Sequence, residues 1–378
     1  MAGIYIHIPF CRKACSYCDF HFSTSFRLLA QMLAALKTEI RLQKDFFPPN
    51  TSIETLYFGG GTPSVFSPAQ IQSLIETVYQ VFPNAKETLQ EITLEANPED
   101  LFPPNEWAEM KTDINRLSIG IQSFGEKDLA LMNRGHAHID IGEMLALYQT
   151  KGYNNISLDL IFGIPDLTEK QWAAHLQKVL AYNVQHLSLY ALTLEPKTAL
   201  AHQVKKGLVQ IPEDSAYSQQ FLLADKLLAE AGWEHYELSN YAKKGFRSQH
   251  NAAYWKGQPY LGIGPSAHSY NVSHRFANVA SNPKYIAALK ENNLAIIETE
   301  TLSPQDTYNE YILTQFRKAE GINVAFIAAN WQVEVLQKYK SLIENLRLNG
   351  GMVQVGDFLR LTPQGWLISD YVIREMME

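Results

Sequence analysis

Three cysteines occur in 378 residues, and all lie within eight positions: Cys11, Cys15 and Cys18, in the text CRKACSYC. An odd, tightly clustered set is a poor disulfide framework. The Cys-x3-Cys-x2-Cys spacing reads instead as a metal or cluster site. Structural zinc takes four protein ligands, and His21, three residues past Cys18, makes a Cys3His set formally available. The alternative is an iron–sulfur cluster on three thiolates, which leaves one iron open to a substrate or cofactor. Zinc knuckles generally use paired Cys-x2-Cys turns, which favours the cluster.

Other residues with chemical potential follow short apolar runs. Gly59-Gly60-Gly61-Thr62-Pro63 permits positive φ and close backbone approach to a ligand. It is not the GxGxxG fingerprint, and no GxxxxGK[ST] loop exists, which disfavours a P-loop kinase or ATPase. Glu95 and Gln122 end two further runs. Asp159 interrupts the apolar stretch Ile156–Ile164, where a carboxylate is costly unless it is paired or bound to a ligand. Arg134 can supply a cation. Singly, each fits a cap, a ladder end or a surface ion pair. Together they would line one mouth of a barrel, beside the cysteines.

Positioning such a set takes strands that end near one another. Strand patterns are expected over Gly3–Ile8, Thr55–Phe58, Glu91–Glu95, Arg116–Ile121, Ser157–Ile161 and His186–Leu192. Helical patterns over Leu28–Leu42, Pro68–Val81, Ile139–Tyr148 and Glu169–Ala181 alternate with them. This alternation implies right-handed crossovers and a parallel sheet, in an open or closed βα-barrel. The expected division is a barrel over 1–235, a loop-rich region over 236–299 and a third unit over 300–378. In that unit a helix near Val335–Leu348, a hairpin turning at Gly356-Asp357 and a helix over Pro363–Met376 resemble a winged-helix module. Residues 301–378 hold seven Lys/Arg and nine Asp/Glu, so a DNA-reading role is not expected.

Composition agrees with a packed α/β protein, at 46% hydrophobic and 19% charged residues. The net charge of −7 argues against a nucleic-acid partner, since phosphate binding needs many Lys and Arg contacts. No apolar run approaches the roughly 18 residues that a membrane span needs. Met1–Phe10 lacks a basic n-region and a small-residue cleavage site, so a cytoplasmic protein is expected.

The motifs carry a resemblance. Tyr-Ile-His-Ile-Pro-Phe-Cys at 5–11 with CxxxCxxC resembles the radical S-adenosylmethionine (SAM) superfamily, in its oxygen-independent coproporphyrinogen III oxidase group. The likeness continues in GGGTP at 59–63, LEANP at 94–98, GIQSF at 120–124, NRGH at 133–136, LDLIFGIP at 158–165 and GIGPSAHS at 262–269. It implies a partial (β/α)6 TIM-like barrel and a [4Fe–4S] cluster on Cys11, Cys15 and Cys18, with SAM on the fourth iron. In the superfamily, one-electron reduction of SAM yields methionine and a 5′-deoxyadenosyl radical. Tyr5, Tyr17, Gly60, Gly61, Thr62, Glu95, Gln122, Arg134, Asp159 and Ala191 match SAM-contacting positions of that group. On this resemblance Tyr17 lies against adenine, Glu95 receives the methionyl ammonium, Arg134 pairs a carboxylate and Asp159 takes ribose hydroxyls.

Two departures separate the chain from the decarboxylating oxidase. That enzyme resembles CxxxCxxCxC, whereas position 20 here is Phe20, and it carries a longer extension before the cluster, whereas only ten residues precede Cys11. Both look like the HemW branch, which are heme chaperones. That branch carries HNxxYW, present here as His250-Asn251-Ala252-Ala253-Tyr254-Trp255. The resemblance makes His250 the candidate axial ligand of heme, with His268 a weaker site candidate near SAM. It implies delivery of heme to apo-hemoproteins such as respiratory cytochromes, with a possible homodimer and peripheral contact with membrane proteins. The competing expectation is oxidative decarboxylation of coproporphyrinogen III.

Overall fold

A computed structural model of the chain describes residues 1–109 and 112–378. Six parallel strands form its centre: β1 (Ala2–Ile8), β2 (Ile53–Gly60), β3 (Glu91–Ala96), β4 (Arg116–Gln122), β5 (Asn155–Phe162) and β6 (His186–Ala191). Each pairs with the next. Helices Leu29–Leu42, Pro68–Val81, Ile141–Thr150 and Glu169–Ala181 run between them. Two of these helices start at reciprocal caps, Ser67 with Gln70 and Thr168 with Gln171. Each such cap satisfies amide donors that a helix start leaves free.

Alternation along each strand sorts residues onto two faces. Ile4, Ile6, Leu56, Phe58, Ile92, Leu94, Leu117, Ile119, Ile156, Leu158, Leu187 and Leu189 are buried against the helices. The opposite face carries Tyr5 and His7, Tyr57 and Gly59, Thr93 and Glu95, Ser118 and Gly120, Ser157 and Asp159, then His186 and Ser188. The register aligns these across strands: Tyr5 opposite Tyr57, Glu95 opposite Ser118, Gly120 opposite Asp159. The bore is therefore polar along its length. Strands buried on both sides in a parallel sheet are ordinarily apolar throughout, so this polarity marks a ligand-bearing lumen.

The sheet continues past both ends of the six. β7 (Glu234–Glu237) and β8 (Asn240–Ala242) extend it beside β6; β9 (Tyr260–Ile263), β10 (His268–Tyr270), β11 (His274–Asn278) and β12 (Ile296–Thr301) extend it beside β1. β9 runs parallel to β1 and the rest are antiparallel additions. The strand order runs from β12 to β7 without joining those two, so the barrel is open.

Segment 236–299, expected to be loop-rich, is thus woven into the sheet. Its strands are short and its Tyr, Asn and Gly residues blur the apolar periodicity. Glu39 fastens it to the barrel from the helix Leu29–Leu42. That buried carboxylate accepts from the Gly264 amide at 2.7 Å, from Asn278 Nδ2 at 2.7 Å and from the Tyr285 hydroxyl.

The C-terminal unit holds β13 (Ile322–Asn323), β14 (Met352–Val355) and β15 (Phe358–Leu361), in the order β13-β15-β14, among short helices. The β14–β15 hairpin matches the expected one. The expected helix over Pro363–Met376 is two pieces, Pro363–Trp366 and Ser369–Met376. Trp366 turns inward there and donates from Nε1 to the Phe316 carbonyl at 3.0 Å. No helix among the described residues is long and apolar enough to cross a membrane.

Candidate functional site at the barrel mouth

The cysteine loop leaves β1 at the C-terminal end of the barrel. Phe10 bridges to Ser23, and the Cys11 amide donates to the Ser23 carbonyl at 3.1 Å, closing the loop at its base. Its interior is gripped from several directions. Ser16 Oγ donates to the Leu131 carbonyl at 2.7 Å and Asn133 Nδ2 to the Ala14 carbonyl at 2.7 Å. The Leu200 amide donates to the Ser16 carbonyl at 2.7 Å, and His21 bonds Asn282 Oδ1 through Nε2 at 2.8 Å. Arg12 pairs with buried Asp100, which also accepts from Ser64 Oγ at 2.8 Å.

The glycine run passes directly beneath. The Gly61 amide donates to the Ile8 carbonyl at 2.9 Å and the Thr62 amide to the Phe10 carbonyl at 2.7 Å. A Cβ on Gly61 would stand 2.6 Å from the Phe10 carbonyl oxygen and 3.0 Å from Cys11 Sγ. Gly60 has φ +113°, and a Cβ there would meet the His7 ring at 2.5 Å. Only glycine lets this segment approach the cysteines so closely. Beside it, His7 donates from Nε2 to the His21 carbonyl at 2.9 Å, and its Nδ1 faces the Tyr5 hydroxyl at 3.2 Å. Burial holds that imidazole neutral, down to about 4.

The thiols are free and half-buried. Burial pushes Cys11 up to about 11 and Cys18 upward. Without a metal Cys11 and Cys18 hold their protons, so a cluster is what draws them to thiolates. Two donors aim at the sulfurs: Thr62 Oγ1 to Cys11 Sγ at 3.5 Å and Arg134 Nη1 to Cys15 Sγ at 3.6 Å. Among the described residues no three Cys, His, Asp or Glu side chains converge on a single metal-ion position. The Cys3His zinc set is not assembled, because His21 is turned onto Asn282. A cube in which each cysteine takes a different iron does not require that convergence.

One cation lies beside the cysteines and two carboxylates line the strands of the bore. Arg134 Nη2 donates to Asn97 Oδ1 and to the Gly120 carbonyl, both at 2.6 Å. Among the described residues no carboxylate forms an ion pair with Arg134, and its buried Nε has no hydrogen-bond partner. Glu95 accepts from the Tyr57 hydroxyl at 2.7 Å, and burial pushes it up to about 7. Asp159 accepts from Ser118 Oγ at 3.1 Å and Ser157 Oγ at 3.3 Å, and burial raises it too. Arg134, with Glu99 near it but not in contact, and two carboxylates without a cation in contact suit a zwitterionic ligand. SAM, with its amino-acid end and ribose, fits that donor set, and when bound supplies reductively cleavable sulfonium chemistry. Tyr17 lies beside Cys15 and Arg134. Gln122 takes a left-handed φ of +58° that turns its amide over Gly120. Ala191 is the exposed last residue of β6.

His250 is not part of this assembly. HNAAYW forms the helix Gln249–Trp255, which closes the opposite end of the barrel. The imidazole is 2% exposed, with Nδ1 on Thr55 Oγ1 at 2.7 Å and Nε2 on the Tyr254 hydroxyl at 3.0 Å. It stacks on Tyr57, ring centres 4.9 Å apart. A Cβ on Gly3 would come within 3.2 Å of it. Burial, then the charge of Arg116, holds it down to about 3. The motif, expected within a loop-rich region, is helical instead, and its imidazole is buried in this conformation. His268, by contrast, is exposed on β10.

Several residues at both ends escaped sequence reasoning: Asn97 and Asp100 at the mouth, Glu91 and Arg116 at the floor. Glu91 accepts from the Gln249 amide at 2.9 Å and the His250 amide at 3.0 Å, with buried Arg116 at 4.0 Å. Their signal was the period-two run of polar residues, Glu91-x-Thr93-x-Glu95-x-Asn97 and Arg116-x-Ser118-x-Gly120-x-Gln122.

Comparison with known proteins follows this geometry. The radical SAM superfamily model matches residues 5–179, and that of the HemN C-terminal domain matches 302–368. The heme chaperone HemW of Bacillus subtilis is 30% identical over 98% of both chains. That of Mycobacterium tuberculosis is 31% identical over 99% of this chain and 94% of its own. Among solved structures, the Escherichia coli coproporphyrinogen III oxidase HemN superposes with a TM-score of 0.78 at 22% identity, covering 99% of this chain and 89% of that one. The last likeness shows the fold; the radical SAM match brings the [4Fe–4S] cluster and SAM. A radical SAM barrel and a HemN-type C-terminal domain, joined in an end-to-end match at about 30% identity, place the chain in the HemW family.

Proposed function

We propose that this protein is a heme chaperone that binds heme, carries a cluster on Cys11, Cys15 and Cys18 with SAM across the mouth, and passes heme to apo-hemoproteins. The observation that carries this reading is the end-to-end likeness to proteins named for that role, through the barrel, the HNAAYW helix and the C-terminal domain. Respiratory cytochromes are the proposed clients, with the protein in the cytoplasm and in peripheral contact with membrane proteins or a second copy of itself.

His250 enters this reading conditionally on movement. While the helix Gln249–Trp255 is seated, both ring nitrogens are engaged, so iron ligation needs that helix to withdraw from the barrel floor. Heme titration followed by absorbance tests this. Wild type is expected to bind heme, and His250→Ala to lose most of that affinity. Equal binding by both removes His250 as ligand and leaves the chaperone role. Absence of heme binding by wild type overturns the chaperone role. Anaerobic incubation with SAM, a reductant and coproporphyrinogen III tests the enzyme alternative; protoporphyrinogen formation would favour it.

A further inference from the structure

We infer that Asn97 is a positioning residue that sets the hydrogen bonding of the cluster sulfurs, by fixing which way the Thr62 proton points. It rests on the cluster being held by Cys11, Cys15 and Cys18. Neither sulfur is touched by Asn97 itself. Its two ends instead hold the two groups that do touch them.

The orientation of the amide is dictated by chemistry. Arg134 is a guanidinium and only donates. The Asn97 atom 2.6 Å from Arg134 Nη2 must therefore be the acceptor, Oδ1. That leaves Nδ2, a pure donor, facing Thr62 Oγ1 at 3.1 Å. A hydroxyl has one proton. Because Thr62 Oγ1 receives a hydrogen from Asn97, its own proton is free to point elsewhere, and the acceptor in reach is Cys11 Sγ at 3.5 Å. Thr62 is 4% exposed, so little water competes for that proton. The same Arg134 that orients the amide also places Nη1 at 3.6 Å from Cys15 Sγ. One carboxamide thus keeps two donors on two sulfurs of the same site.

Donors to cluster sulfurs stabilise the reduced, more negative state and raise the potential. Asp in place of Asn97 keeps the acceptor for Arg134 but has no hydrogen for Thr62. The Thr62 hydroxyl then turns to the carboxylate and leaves Cys11. Asn97→Asp and Thr62→Val should therefore both lose the donor to Cys11 and lower the potential, Asn97→Asp further through its added charge.

The test is a redox titration of the anaerobically reconstituted protein, followed by electron paramagnetic resonance, without SAM. Thr62→Val should lower the reduced-to-oxidised ratio at a fixed poise by about tenfold, equal to ~59 mV for one electron, and Asn97→Asp should lower it further. The double variant should match Asn97→Asp, because the Thr62 hydrogen bond is lost only once and the added charge is common to both. Asn97→Gln, which retains both an acceptor and a donor, should recover part of the loss. Unchanged potentials in Thr62→Val, or fully additive effects in the double variant, would overturn the inference. A wild type that holds no iron or sulfide on the three cysteines would instead overturn the cluster assignment on which it rests.

Discussion

The two ends of the barrel use the same materials to opposite ends. At the mouth, charged groups are left incomplete among the described residues: Arg134 has no carboxylate in ion-pair contact, and Glu95 bonds a tyrosine but no cation. At the floor, groups are closed on one another: Glu91 takes the first amides of the Gln249–Trp255 helix, and both His250 nitrogens are spent. Incomplete polar groups cost stability and are retained where a ligand completes them. Closed networks contribute rigidity. The difference separates the end built for binding from the end built to hold the barrel together.

The largest expected effect breaks the floor. Glu91→Ala strands Arg116 and two helix amides in the interior, and should cost about 3–5 kcal/mol in denaturant unfolding. Iron content per folded molecule should be unaffected. A variant that keeps its stability would show that the floor helix is held otherwise.

Protons sharpen the contrast with a smaller effect. His250 titrates near 6.5 when unfolded and at about 3 when folded. Between those values the unfolded chain binds the extra proton, so this group's contribution is present above pH 6.5 and is lost as pH falls toward 3. At pH 5 the loss is about 2 kcal/mol. Glu95 runs the other way. Its folded value, pushed up to about 7, exceeds the unfolded 4.5, so its contribution is greatest below pH 4.5 and falls as pH rises toward 7. Unfolding curves from pH 5 to 7.5 should flatten at the acid side in His250→Gln and at the neutral side in Glu95→Gln. Parallel profiles for wild type and both variants would refute the assignment.

The smallest effect concerns the rim. Phe20 is 69% exposed, so Phe20→Ala should change stability by no more than ~0.5 kcal/mol and leave iron content unchanged. A large loss would mean that the ring packs on the cluster loop.

What the chain discloses in advance follows the same division. The parallel core was legible because Ile4, Ile6, Leu56 and Phe58 alternate with polar residues over short runs that end in turns. The mouth was legible through the compact spacing of its cysteines and the motifs around it. The seat of His250 was not, because HNAAYW looks like a polar surface segment. It is buried because Gly3, almost 250 residues earlier, has no side chain to obstruct the ring. Asn97 was visible inside LEANP, but its partners come from elsewhere, Thr62 after β2 and Arg134 after the helix Glu126–Leu131, and no local pattern joins them.

The clamps on the cysteine loop also bear on the order of events in the cell. Translation delivers the three thiols together, well before Asn133, Leu200 and Asn282. A nascent chain therefore displays unsupported thiols until the segment around Asn282 has emerged. Iron loading belongs after this grip has formed, on a barrel whose β1 is already paired with β9, and a chain truncated before Asn282 would present its cysteines without the His21 contact that helps hold their loop.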